Sequence, residues 1–401
     1  MPILPEIVYY KNIILWMRKE SREMKKRSKI LISCLMMVIL AAAMMTGCSK
    51  KEEAKPEPVR NPLTGSEKFD SAAQGIRPVA LVVENAPDAR PQWGMTDKKH
   101  SPDIILQGEV EGGITRTLWF YADYNKLPKK IGPMRSARPP YIKFSELFDA
   151  VFIHWGQSSS SSEYKGANTV FKEDKVDHIN QMTYSGKVDL YSRDNSRDVS
   201  SEHTGVLHGD KVADAIKDKK FRTKTKKKVT QLKFGKGVRD LSKNTCGKVT
   251  LTWSSRSFED AVWTYNQESG QYETKDFENN LSRENLLILF DKTQYITKSN
   301  YHGTGQGVTY CDYKLAGGKA KLISNGTVKD IQWDVNEDNQ LELFTLVEKK
   351  DSDKDDEDSE PEKKMVALNP GKTWIGWASS NNGGKVKIDP LKEKKSEEKE
   401  K

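Results

Sequence analysis

The chain has 401 residues, 36% of them hydrophobic and 31% charged, with a formal net charge of +9. That length accommodates two folded domains once a leader and a linker are set aside. Residues 1–47 carry eight Lys/Arg against three Glu, so the remainder holds only +4, an excess suited to anionic wall polymer or lipid headgroups and not to nucleic acid.

Lys25, Lys26, Arg27 and Lys29 precede an uncharged apolar run of 16 residues, Ile30 to Met45, which ends in Met45-Thr46-Gly47-Cys48. A positive region, a short apolar core and small residues before a cysteine make a lipoprotein export signal, with Met24 as an alternative start. The run is shorter than the roughly 20 residues of a membrane span, although an uncleaved anchor is the competing reading. Cys48 is then the lipidated N-terminus of a protein tethered to the extracytoplasmic face of the cell membrane. Cys34 falls within the leader, leaving Cys246 and Cys311, which an exported location permits to be bonded or free. No C-x-x-C or Cys/His cluster with metal spacing occurs, so neither a metal site nor a cofactor is expected.

Residues 48–75 are charged, contain Pro and Gly, and lack hydrophobic periodicity, which reads as a flexible tether. Val79 to Val83 is a buried strand by its β-branched run, followed by strands over 103–111 and 113–122. Within 113–122 the alternation of Ile114, Arg116, Leu118 and Phe120 against Thr115, Thr117, Trp119 and Tyr121 predicts one face far more apolar than the other. Residues 129–140 form a Gly/Pro loop, 141–149 a short helix, 150–155 a central strand, Ser158 to Glu163 a helix start, and 210–219 a further helix. Strands mixed with helices over 76–220 make an N-terminal α/β-type domain.

The basic stretch 217–228 marks the expected boundary. From 221 to 390 the signals are mainly strands, including 229–234, separated by Gly, Asn and Asp, which predicts a mainly antiparallel β domain and an α+β class overall. Asp351, Asp353, Asp355 and Glu362 fall at EF-hand positions within the acidic insert 351–362. Asp356 replaces the required glycine and Pro361 intrudes, so the insert reads as a solvated loop. The Lys/Glu tail 391–401 reads as disordered.

The concentrated polar set is Glu109, Glu111, Arg116, Arg135, Arg138 and His154. Glu109 and Glu111, two apart on an extended segment, face one side, and Gly112-Gly113 beside them permits another backbone to approach. Arg135 and Arg138 lie in a loop entering a helix, where guanidinium groups can hold a carboxylate or phosphate bidentately. His154 ends a core strand, which makes an acid/base pair with Glu111 conceivable. The competing reading is a structural network in which the arginines satisfy the glutamates and His154 is hydrogen-bonded at its strand end.

Asn61 to Gly65 (NPLTG), 77–94, 103–116, KIGPMRSARP (130–139), DAVFIHWGQS (149–158) and NPGKTWI (369–375) resemble, in order, segments of the YerB-type lipoprotein family of Gram-positive bacteria, whose domains have no assigned function. The resemblance implies a membrane-tethered protein with an N-terminal α/β-type domain and a C-terminal mainly β domain, and carries over no catalytic residue. Glu202-His203-Thr204 departs from the family's pattern. The leading expectation is a non-enzymatic envelope protein that binds a wall polymer or another envelope protein. The alternative is an extracytoplasmic hydrolase or transferase acting on wall glycan or peptide through Glu109, Glu111, His154 and the two arginines.

Overall fold

The computed structural model describes residues 58–300, 303–348 and 361–392, with Glu20 and Met24 besides. The leader, Cys48, nearly all of the acidic insert and the charged tail from 393 lie outside the described residues. Eleven strands form the central sheet. In chain order they are β1 (Val79–Glu84), β2 (Ile104–Glu109), β3 (Thr115–Tyr121), β4 (Val151–His154), β5 (His178–Asn180), β6 (Asn285–Asp291), β7 (Gly318–Ser324), β8 (Thr327–Val335), β9 (Leu341–Val347), β10 (Glu362–Met365) and β11 (Thr373–Ser379). Their spatial order is β10-β9-β8-β7-β6-β11-β2-β3-β1-β4-β5.

The two expected domains share this sheet. β11 lies between β6 and β2 and pairs in parallel with both, Ile375 opposite Leu106 and Leu287. The basic stretch near 217–228 therefore does not divide the sheet, and it is itself bonded to the N-terminal half: Arg222 donates to both oxygens of Asp149 at 2.6 and 2.8 Å, and the Arg77 amide donates to Thr223 O. Residues 59–75, read as the end of the tether, also correct that expectation. Asn61, Leu63 and Thr64 are buried, and the Asn61 side chain caps the Leu63 and Thr64 amides.

Both faces of the sheet are covered, which explains why β3 is buried at all seven positions instead of alternating. On one face, helices α1 (Pro139–Glu146) and α2 (Ala167–Asp174) cover Leu118, Phe120 and Phe152, with Phe144 and Phe148 packed on Phe120. On the other, Trp119, Leu286 and Trp374 meet helix α3 (Val212–Asp218) and a second sheet of five strands that carries Leu251, Trp253 and Trp263. The result is strand-dominated, with an antiparallel second sheet, and α1, α2 and α3 all fall within residues 139–218.

Local chemistry accounts for the other departures. The expected helix start at Ser158 to Glu163 is a loop, because the Ser158 hydroxyl accepts from the Ala167 amide and the Ser160 hydroxyl from the Gly166 amide; the serines cap the helix that follows. Residues 229–234 make only an isolated bridge, Phe234 to Leu368. Cys246 and Cys311 are both free and buried.

Candidate functional site at the carboxyl edge of the sheet

Strands β1, β2, β4, β5, β6 and β11 all run in one direction, so Glu84, Glu109, His154, Asn180, Asp291 and Ser379 arrive at one edge, together with the start of β3 at Thr115 and Arg116. Open sheets present their functional groups at this edge. The candidate residues lie at or beside this edge, where they divide into three groups with His154 apart from them.

The first group is Glu111 with Arg116 and Arg138. Arg138 Nε donates to Glu111 Oε2 at 2.8 Å and its Nη2 donates to Oε1; Arg116 Nη2 reaches the same Oε1 at 3.1 Å while its Nη1 holds Ser136 O at 2.7 Å. Burial alone would raise the Glu111 carboxyl, yet the two guanidinium groups outweigh it and hold the carboxyl far below the usual range. Burial likewise works against the Arg138 cation, and Glu111 more than restores it. The Arg138 guanidinium also lies 5.3 Å over the ring of Tyr310, which stacks on Tyr164 at 4.2 Å. Every oxygen of Glu111 is thus engaged within the group, which keeps one positive charge in excess.

Arg135 belongs to a second group, with Glu84, Glu202 and His203. Its Nε stands 2.7 Å from Glu84 Oε1 as an ion pair without the alignment of a hydrogen bond, and its Nη2 donates to Glu202 at 2.5 Å. His203 Nδ1 lies 2.9 Å from the other oxygen of Glu84. Glu84 is absent from the sequence-based set, although the rule that singled out His154 applies to it equally: a polar residue closing a continuous apolar strand. Glu202 and His203, at the departure from the family pattern, therefore hold a structural position.

The third group surrounds Glu109. Its backbone amide donates to the Tyr313 hydroxyl at 3.0 Å, and its carboxylate accepts from the Tyr295 hydroxyl at 3.0 Å. Both tyrosines stand on a hairpin of Thr293–Lys298 and Val308–Tyr313. Burial raises the Glu109 carboxyl, and no arginine bonds it directly. Glu109 and Glu111 line a shared cavity of about 490 Å³ with Arg256 and Tyr295, and the guanidinium of Arg256 lies 4.3 Å over the Tyr295 ring. The glycine pair does permit the expected close approach: Gly113 has φ +77°, and a Cβ there would stand 2.2 Å from Arg256 O.

His154 stands apart from all three. It is fully buried, its Nδ1 lies 2.7 Å from Gly156 O and its Nε2 3.0 Å from His178 Nδ1. A carbonyl can only accept, so Nδ1 carries the proton and Nε2 receives one from His178. Burial pushes His154 down to about 3, and His178, stacked on Phe171 at 3.8 Å, down to about 4. The conceived acid/base pair with Glu111 is not formed: each partner is committed elsewhere. Among the described residues no group of three His, Cys, Asp or Glu could hold a metal ion.

Residues 63–222 match the family described as "Protein of unknown function (DUF3048) N-terminal domain". Over 339 residues the chain is 26% identical to the Bacillus subtilis (strain 168) protein named "Putative lipoprotein YerB", covering 83% of this chain and 90% of that protein. The chain is similar to YerB over most of its length. A crystal structure of YerB from Bacillus subtilis shares the fold, with a TM-score of 0.60 at 22% identity over 82% of this chain and 99% of the other. The family match ends at 222, beside the basic stretch, although the central sheet of this chain runs on without a break. Among the described residues no helix is long and apolar enough to cross a membrane.

Proposed function

We propose that the chain is a lipid-anchored, extracytoplasmic binding or scaffold protein of the bacterial cell envelope. The observation that carries the binding role over chemistry is that the candidate groups at the carboxyl edge are engaged with one another. Glu111 is taken up by Arg116 and Arg138, Glu84 by Arg135 and His203, and His154 by His178. Hydrolysis or group transfer needs a nucleophile next to a base, or two carboxyls facing one reacting bond. Here the candidate carboxyls face arginines, and the remaining one, Glu109, faces a tyrosine hydroxyl. The lipobox at 45–48 and the name of the Bacillus subtilis relative support the anchor.

Replacing Cys48 with serine tests the anchor: labelling with a clickable palmitate analogue should be lost and the uncleaved precursor should accumulate. Equal labelling and mobility of the two forms would refute it. The binding role is tested by crosslinking on intact membranes, where a defined wall polymer or envelope protein should be captured. Release of wall fragments by the purified chain would instead establish the hydrolase alternative.

A further inference from the structure

The opposite, amino edge of the central strands carries a second cavity, of about 290 Å³, lined by Tyr121, Lys372 and Lys99 and by the carboxylates of Asp103 and Glu284 among others, while Asp70 and Asp123 at its rim are paired with Lys126. It lies where three segments of the family resemblance meet. Asn61 donates to Asp103 Oδ1 at 3.1 Å, the Gly371 amide donates to Thr64 O, and the Thr373 amide donates to Asp103 O. Unlike the carboxyl edge, its donors are not used up. The Tyr121 hydroxyl is buried without a hydrogen-bond partner, on a residue only 3% exposed. Behind it, Arg283 is 2% exposed; its Nε and Nη2 have no partner, its Nη1 reaches only the neighbouring Ser282 O, and it has no ion pair among the described residues. Lys372 Nζ is held by Ser101 O at 2.8 Å and by the Ser101 hydroxyl at 2.5 Å, with no carboxylate bonded to it.

A buried phenol and a buried guanidinium without partners each carry a desolvation penalty that an acceptor of opposite charge would remove. Burial pushes Arg283 down to about 10 and lowers Lys372: Asp103 and Glu284 act on both from longer range without outweighing it, and among the described residues neither cation has a counter-charge in contact. Asp103 does not supply one by contact: its oxygens are taken by Asn61 and by the Ala122 amide at 2.8 Å, and burial raises its carboxyl. A phenol and an ammonium facing the cavity from different elements, with a buried guanidinium behind them, suit an anion with several acceptor oxygens, and match a phosphate with its three or four better than a carboxylate with its two. A neighbouring groove of about 850 Å³ shares Lys99 and His100 with the cavity and adds Lys98, Lys129 and Trp93, which extends the positive surface away from it.

We infer that this amino-edge cavity binds a phosphate group, held by Tyr121 and Lys372 with the charge of Arg283 behind them, and that further phosphates of the same ligand lie along the adjoining lysine groove. The site rests on the reading of the chain as a binding module, yet its loss and the loss of the anchor are separable, since a Cys48→Ser chain should bind phosphate unchanged.

The test is titration of the purified full chain with inorganic phosphate, followed by calorimetry, beside Tyr121→Phe and Lys372→Gln. Binding should saturate in the wild type. Tyr121→Phe should weaken it about tenfold, the effect of one hydrogen bond to a charged group, while its melting temperature without phosphate stays level or rises, because an unpaired hydroxyl has been removed. Lys372→Gln should weaken binding at least as much. Phosphate affinity unchanged in Tyr121→Phe would overturn the assignment, as would binding that never saturates. Polyphosphate and vesicles containing phosphatidylglycerol separate the sources of the group: Tyr121-dependent retention by one of them identifies a polymer or a lipid headgroup, and retention by both that ignores Tyr121→Phe would reduce the site to surface lysines and refute it.

Discussion

Arg138, at the start of helix α1, and Arg283, at the end of a strand, are both buried arginines of the same molecule, and their surroundings are opposite. At the carboxyl edge Arg138 is met bidentately by Glu111, with Arg116 sharing the same oxygen and Tyr310 below the guanidinium. At the amino edge Arg283 has two nitrogens with no acceptor and no ion pair among the described residues. A buried charge that is paired is part of the fold; one left unpaired opposes the fold unless something outside the chain completes it. The carboxyl edge, where the sequence concentrates its charged residues, thus has the character of architecture, and the amino edge that of a site.

Removing Arg138 gives the largest effect that this comparison implies. Arg138→Ala strips Glu111 of its bidentate partner in a buried setting and should cost about 3 kcal/mol in urea unfolding, at the low end for breaking a buried pair because Arg116 still holds one oxygen. If Arg138 served a ligand instead, the variant would unfold like the wild type and lose only retention on envelope material, and that result would reverse the assignment of the two edges.

Acid gives the next effect. His154 and His178 are held in the folded chain at about 3 and about 4, below the roughly 6.5 of an unfolded histidine. As pH falls through 6.5 the unfolded chain takes up protons that the folded one refuses, so stability declines from there down to about pH 4. The decline should reach on the order of 2 kcal/mol by about pH 5.8, half from each ring, well before Glu111, whose depressed carboxyl matters only below its unfolded value near 4.5, begins to contribute. His178→Phe, which keeps the stack on Phe171, should remove about half of that slope. A melting temperature flat between pH 7 and 5 would show that the pair is hydrated rather than sealed.

Much of the central sheet is legible in the sequence, because a continuous apolar run such as Val79 to Val83 or Ala150 to Trp155 has few structural outlets. The fusion of the two halves is not legible. β11, near the end of the chain, inserts between β2 and β6, and a pairing across more than 250 residues leaves no mark in local periodicity. The same limit hid the partners of the candidate residues. Spacing identified Glu111 and Arg138 as strong polar groups near a core, but whether Arg138 meets Glu111 or a ligand depends on how a loop at 138 turns toward a strand end at 111. Tyr121 and Arg283 were passed over for a different reason. One reads as an ordinary strand aromatic and the other as a lone charge in a β segment, and what distinguishes them is the lack of a partner, a property of the three-dimensional packing alone.

The smallest effect is the one that most sharply probes the contrast. Arg283→Met keeps a long side chain in the same space and removes a cation whose contacts within the chain amount to one bond to the adjacent carbonyl. Replacing an unpaired buried charge by an apolar group of similar volume is often neutral or stabilising, so the change in unfolding free energy should lie within about 1 kcal/mol of zero. Set beside the loss at Arg138, the same residue type would then show two different costs, and the difference would measure what Glu111 supplies. Excess phosphate should raise the melting temperature of the wild type and leave that of Arg283→Met nearly unmoved, since a ligand stabilises only the form that holds it. Equal destabilisation by Arg283→Met and Arg138→Ala would mean that Arg283 is satisfied within the fold, through Asp103 and Glu284 at longer range, and the distinction between the two edges would fall.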